Sequence, residues 1–342
     1  MADVEGIAAE PVSRWFRDHV DGVAPPLSFE LVAGGRSNLT YCVTDVDGSS
    51  WVLRRPPLGH LLPTAHDMAR EYRIIAALGP TPVPVPPAIG LCPDDSVNDR
   101  PFYVMGFVDG HIVRNADDAG ALDIGARGVA GDDLADVLAA LHAVDLDDVG
   151  LADLGRHDAY IERQLKRWYG QWEKSKTREV PLVDALYKRL ADNIPEQGPA
   201  TIVHGDYRLD NTILGDDGRV KAVLDWELCT LGDPLADIGL LNVYWSDPGD
   251  TYAALLAAPT TVEGFRRRAE VSARYAERSG RDLSQLPYYV AFAYWKLACI
   301  LEGVYARYVG GNMGRDTRGF EGFADQVVRL AEMAEAAVDQ LP

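Results

Sequence analysis

HGDYRLDNTIL at 204–214, followed by VLDWE at 223–227, is the stretch on which the reading of this chain turns. Asp206 and Asn211 stand five residues apart across a polar loop, and Asp225 ends the next apolar strand. A phosphoryl-transfer site needs a carboxylate that orients a hydroxyl and accepts its proton, with further oxygen donors for Mg²⁺. Asp206, Asn211 and Asp225 meet that need in type and order. Singly, each would be an ordinary turn residue, because Asp-Gly and Asp-Asn pairs favour turns. The combination H-G-D-x4-N, a hairpin-sized gap, and then an apolar run closing on Asp separates a site from a surface loop.

Working outward, ATIVHGD, NTILGDDG and RVKAVLD read as short strands within a region that is otherwise helical. Helical patterns run over 158–174, 181–193, 261–279, 285–308 and 318–339. GDDLADVLAALHAVD puts Leu134, Val137, Leu138 and Leu141 on one stripe, with Asp132 or Asp133 suited to the first turn. Upstream, Leu27 to Leu53 alternates apolar residues with turn signals and reads as three antiparallel strands, Asp47-Gly48 making a hairpin turn. His66 to Leu78 has helical spacing, with Met68, Tyr72, Ile75 and Ala76 on a common side. Prolines at 80, 82, 84, 86 and 87 make a stiff connector, and a β-rich run, RPFYVMGFVDG, begins at Arg100. The expected class is α+β: a small antiparallel-sheet lobe over 1–106 and a larger, mainly helical lobe over 107–342.

Composition bounds the partners. With 342 residues and 47% of them hydrophobic, the chain buries a sizeable core. A formal charge of −19 repels polyanions, so nucleic acid is not an expected partner. Cys42, Cys92, Cys229 and Cys299 are widely spaced, without a C-x-x-C pair, which suits reduced thiols in a cytoplasmic protein. MADVEGIAAEP lacks the basic start and apolar core of a secretory signal. Tyr288 to Leu301 is interrupted by Lys296 and too short to span a bilayer, so it reads as a buried helix and no membrane partner is expected.

These motifs resemble the aminoglycoside phosphotransferase and choline kinase superfamily, from Gly34 to about Asn312. The resemblance implies a bilobal protein-kinase-like fold with ATP and Mg²⁺ as cofactors. It makes Asp206 the catalytic base, Asn211 and Asp225 the Mg²⁺ ligands, and His204 a brace for the loop. Asp237, in GDPLADIG, would hold that loop. The turn AGGRSN lays the backbone of Gly34 and Gly35, with Ser37 and Asn38, against nucleotide phosphates. Arg54 stands where most kinases carry a phosphate-binding lysine, with Glu71 as its partner. Arginine keeps the charge and binds phosphate bidentately. Strand alternation points Arg54 and Arg55 to opposite faces, so one of the two enters the site, and Arg54 is the choice. Met105 would lie behind the adenine, with the Gly106 carbonyl and Val108 N–H reading its edge. Arg208, two residues after the base, would stabilise charge on the moving phosphoryl group.

Between Asp225 and Asp237 the chain is too short for a protein kinase activation segment, so the acceptor is a small-molecule hydroxyl. SNLTY, VLRRPPLGHLLPTAHDMAREYRIIAAL, FYVMGFVDG and KLACILEGVYARY are similar to the kinase-like domain fused to animal acyl-CoA dehydrogenases and to its free-standing bacterial relatives. That likeness implies a hydroxy acid or hydroxyacyl-CoA acceptor. Lys296, Glu302 and Arg307 belong to the helix expected to face it, as acceptor-binding groups or as snorkelling surface charges. The competing readings are an aminoglycoside or amino-alcohol kinase and a nucleotide-binding pseudokinase module.

Overall fold

The computed structural model describes residues 4–33, 38–58, 67–250, 258–311 and 322–341. In chain order its first elements are α1 (Ala9–His19), β1 (Ser28–Ala33), β2 (Leu39–Thr44), β3 (Ser50–Arg55), α2 (Met68–Leu78), β4 (Ala88–Cys92), α3 (Asp95–Asn98) and β5 (Phe102–Gly106). Then come α4 (Ala116–Ala119), α5 (Ile124–His142), α6 (Tyr160–Ser175), α7 (Pro181–Asp192), β6 (Thr201–Val203), β7 (Thr212–Leu214), β8 (Val220–Val223) and β9 (Thr230–Gly232). The last four are α8 (Leu235–Tyr244), α9 (Arg268–Ser279), α10 (Leu286–Val309) and α11 (Phe323–Val338). Two units emerge: residues 1–110 with 212–215 and 220–227, and residues 111–211 with 216–219 and 228–342.

In the first unit an antiparallel sheet runs in the order β1-β2-β3-β5-β4. Alternation along β2 sends Leu39, Tyr41 and Val43 into a core shared with Val12, Trp15 and Phe16 of α1. The Asp47-Gly48 turn closes on Asp45, whose Oδ1 accepts the N–H groups of Asp47 (3.0 Å) and Ser49 (2.9 Å). Asp67 caps α2 by accepting the Arg70 N–H at 3.0 Å. The face that α2 buries is Met68, Glu71, Ile74, Ile75 and Leu78, with Ala76 exposed. This is a rotation from the expected stripe, and its cause is Glu71, a charge drawn inward to an ion pair. The β7–β8 hairpin joins this unit through Val223 N–H to the Pro84 carbonyl (2.8 Å) and Lys221 Nζ to the Asp109 carbonyl (2.9 Å).

In the second unit α6, α7, α8, α10 and α11 enclose a core that includes Trp172, Leu186, Tyr288, Trp295 and Leu330. Each such side chain contributes on the order of 2 kcal/mol by leaving water. Helix α5 begins at Ile124, so Asp132 and Asp133 lie inside it rather than in its first turn. They serve instead as ion-pair partners of Arg266 and Arg219. Helix α8 is buried on nearly every side, and so carries no amphipathic period to betray it. Among the described residues no helix is long and apolar enough to cross a membrane. No disulfide joins any two of the four cysteines.

Candidate functional site

Strand β6 delivers the chain to His204, and the loop that follows is hung on Asp237 in the first turn of α8. Asp237 Oδ2 accepts the His204 N–H at 2.7 Å, and Oδ1 accepts the Gly205 N–H at 2.8 Å. His142 Nε2 lies 3.2 Å from Oδ2, and its Nδ1 lies 2.7 Å from the Tyr275 hydroxyl. A carboxylate only accepts, so Nε2 carries the proton and Nδ1 accepts from Tyr275. Burial alone would raise the Asp237 pKa; the hydrogen bond from His142, the nearby His142 and His204 imidazoles and the Gly205 N–H together hold it below the usual carboxylate value. Gly205 adopts φ +84°, and a Cβ there would stand 2.9 Å from the Leu228 carbonyl oxygen. Only glycine suits that position.

The buried His204 accepts the Asp206 N–H on Nδ1 at 3.2 Å, so it braces the backbone. Asn211 Nδ2 donates to both the Asp206 carbonyl and Oδ2, each at 2.8 Å. Arg208 Nε lies 3.3 Å from Asp206 Oδ2 and 3.1 Å from Asp210 Oδ1, and its guanidinium sits 4.6 Å from the Tyr244 ring centroid. Burial works against the Arg208 charge, but Asp206, Tyr244 and Asp210 more than offset it, and its pKa is raised. A cavity of about 30 Å³ opens beside it, lined in part by Arg114, Asp210, Tyr244 and Thr260. Of the α10 residues, Lys296 is buried and donates to the Gly205 carbonyl at 3.1 Å. Glu302 is fully buried and accepts from Thr177 and Arg178. Arg307 is exposed. Lys296 and Glu302 are therefore internal anchors, not surface charges.

The first unit gathers Asn38, Arg54, Glu71 and Asp225, together with two residues not singled out in sequence, Tyr103 and Glu227. Arg54 Nε is 3.1 Å from Glu71 Oε2, its Nη2 pairs with Asp225 Oδ1, and Glu227 Oε2 lies 3.9 Å away. Asn38 Nδ2 donates to Glu71 (2.7 Å) and Glu227 (3.4 Å), and the Tyr103 hydroxyl donates to Glu71 at 3.1 Å. Burial, only partly opposed by Arg54, and the repulsion of Asp225 and Glu227 push the Glu71 carboxyl up to about 7. Asp225 itself sits at φ +64°, a left-handed conformation that costs a non-glycine residue about 1–2 kcal/mol. Arg55 turns the other way, to the carbonyls of Gly6 and Pro56.

Met105 and Gly106 end β5, paired with Val52 and Trp51 of β3, and Val108 follows them. Gly34, Gly35 and Ser37 lie outside the described residues. Glu227 stands two residues after Asp225, within VLDWE, and a second carboxylate so placed was its signal. Tyr103, His142 and Tyr275 carried none, since each looks like a core residue in sequence.

Residues 28–276 match the model of the phosphotransferase enzyme family. The chain belongs to that family. Mouse acyl-CoA dehydrogenase family member 10 is 36% identical to this chain over 317 residues, covering 89% of this chain and 28% of the relative's length. A crystal structure from Ralstonia eutropha, provisionally described as an aminoglycoside phosphotransferase, is 33% identical, with TM-score 0.80 over 97% of this chain and 98% of its own. The aminoglycoside phosphotransferase APH(4)-Ia, solved with AMP-PNP and hygromycin B, shares the fold at 17% identity, with TM-score 0.60 over 97% and 98% of the two chains. The chain thus has the kinase-like fold, an antiparallel five-stranded sheet in one unit and a mainly helical second unit.

Proposed function

We propose that the phosphotransferase moves the γ-phosphoryl group of ATP, with Mg²⁺, to the hydroxyl of a small anionic acceptor, a hydroxy acid or a hydroxyacyl-CoA. The observation that carries the reading is the state of Asp206. Its Oδ2 is engaged by Asn211 and Arg208, while Oδ1 accepts no hydrogen bond among the described residues. Oδ1 is the oxygen that takes the hydroxyl proton, and Asn211 and Arg208 keep it aimed. Arg208 also places positive charge beside the base, where charge on the transferring group is stabilised.

The donor chemistry suits a hard cation. Asn211 uses its N–H groups on Asp206, which leaves its side-chain carbonyl oxygen as a ligand, and Asp225 contributes a carboxylate. One carboxylate and one amide oxygen would hold Mg²⁺, which commonly shares phosphate oxygens and keeps several waters. When bound, the cation neutralises phosphate charge. Arg54 binds phosphate, and Met105, Gly106 and Val108 receive the adenine. On this reading the nucleotide-binding lobe, 1–106, and the catalytic and acceptor-binding lobe, 107–342, divide the labour.

The anionic acceptor is supported by Arg208 and by likeness to a relative named for acyl-CoA dehydrogenase activity. An ammonium group near Arg208 would be repelled by on the order of 1 kcal/mol. Purified protein with Mg-ATP, offered 3- and 4-hydroxy acids, their CoA thioesters, choline and kanamycin, tests this by ³¹P NMR of the products. Phosphorylation of hydroxy acids or thioesters is expected. Efficient phosphorylation of kanamycin or choline, with none of the anionic acceptors used, overturns the acceptor class.

A further inference from the structure

Lys296 is a buried ammonium with weak compensation. Its side chain leaves α10 for the interior, its residue is 8% exposed, and its Nζ donates to the Gly205 carbonyl at 3.1 Å. The Trp168 ring centroid lies 5.6 Å away, and Lys296 makes no ion pair among the described residues. Burial pulls its pKa down, while Asp206 and Asp237 act in the opposite sense. Taking such a charge out of water without a bonded carboxylate is unfavourable. A methionine of similar length would be the stabilising choice.

What Lys296 holds gives the reason to keep it. The Gly205 carbonyl and the Asp206 N–H belong to one peptide unit. Lys296 fixes its oxygen, and His204 Nδ1 fixes its N–H at 3.2 Å. The next peptide is held by Asn211 on the Asp206 carbonyl at 2.8 Å. The Asp206 Cα thus lies between two peptide planes, each tethered by side chains, and the direction of its carboxylate follows from their angle.

We infer that Lys296 is a positioning residue for Asp206, which sets the catalytic carboxylate through the Gly205–Asp206 peptide and does not touch the acceptor. This rests on the reading of Asp206 as base. Lys296→Met and Lys296→Arg separate it from a structural role. Turnover would be measured as ATP hydrolysis, with water as acceptor, and on 3-hydroxybutyrate, alongside ADP affinity, melting temperature and amide exchange over 204–208. Lys296→Met is expected to melt no lower than the parent, to lose about 10²-fold in kcat with the ATP KM within about twofold, and to exchange the loop amides faster. Lys296→Arg restores most of the loss. A Lys296→Met protein with parental exchange and kcat, or one that melts lower with kcat per folded molecule unchanged, overturns the inference. Asp206→Ala tells the two readings apart. If it remains active, the base assignment fails; if it is inactive while Lys296→Met is fully active, only the role of Lys296 fails. Amide exchange over 204–208 reports the tethering of this peptide whatever the turnover, and parental exchange in Lys296→Met counts against the inference even where no acceptor is turned over.

Discussion

Around Arg54 one guanidinium stands among the carboxylates of Glu71, Asp225 and Glu227, whereas around Asp237 each carboxylate oxygen is met by N–H groups. The first cluster, among the described residues, carries surplus negative charge. The second is satisfied by hydrogen bonds, and its buried carboxylate stays ionised below the usual pKa. Surplus carboxylates among the described residues fit the proposed cation site at Asp225, and saturation holds the 204–206 backbone in place. The difference lies in the partners, since both carboxylates at the centre, Glu71 and Asp237, are almost fully buried.

The largest test falls on the saturated region. Asp206→Ala should retain its fold and its affinity for ADP, yet lose about 10²–10⁴ in kcat, roughly 3–5 kcal/mol of barrier. Steady-state kinetics on whichever acceptor the panel identifies would reveal it. Undiminished turnover removes Asp206 from its role and erases the contrast.

Next in size is the charged cluster. Glu71 ionises near 4.5 in an unfolded chain and near 7 when folded. Between those values the folded protein binds the extra proton, so its contribution to stability is complete below about pH 4.5 and declines as pH rises through 7. The change is on the order of 3 kcal/mol. Denaturant titrations across this range should show a smaller decline for Glu71→Gln than for the parent. Parallel curves would mean that the surplus charge is compensated after all.

The smallest effect is steric. Gly205→Ala places a methyl group against the Leu228 carbonyl in a left-handed backbone, and should cost about 2 kcal/mol of stability. A melting temperature equal to the parent's would show the loop to be looser than its hydrogen bonds suggest.

Much of this was legible in the chain itself. The run from Leu27 to Leu53 forms three strands because alternation and Asp47-Gly48 agree at every level. H-G-D-x4-N marks the loop because each of its polar residues has a partner within a few positions: His204 for the Asp206 N–H, Asn211 for its carbonyl. What could not be read are partners supplied from afar. Lys296 looks like a break in an apolar helix, and nothing local says that its ammonium ends on Gly205, 91 residues earlier. Glu71 turns α2 away from its hydrophobic stripe because of Arg54, and α8 has no polar face to register. The start of α5 was obscured by glycines at 125, 128 and 131, whose weak helix propensity is overridden by packing.

The β7–β8 hairpin has a consequence for biosynthesis. The first unit is not a contiguous segment: its last strands and Asp225 arrive 117 residues after Gly110, counting to Glu227. On a ribosome adding about 5–20 residues per second, that interval is roughly 6–23 s. Throughout it Arg54 and Glu71 are already made while Asp225 and Glu227 are not. Nascent chains therefore pass through a stage in which the amino-terminal unit has its five-stranded sheet but awaits the β7–β8 hairpin, a window open to chaperones and proteases, and a gene fragment ending at Gly110 would hold every nascent chain in it.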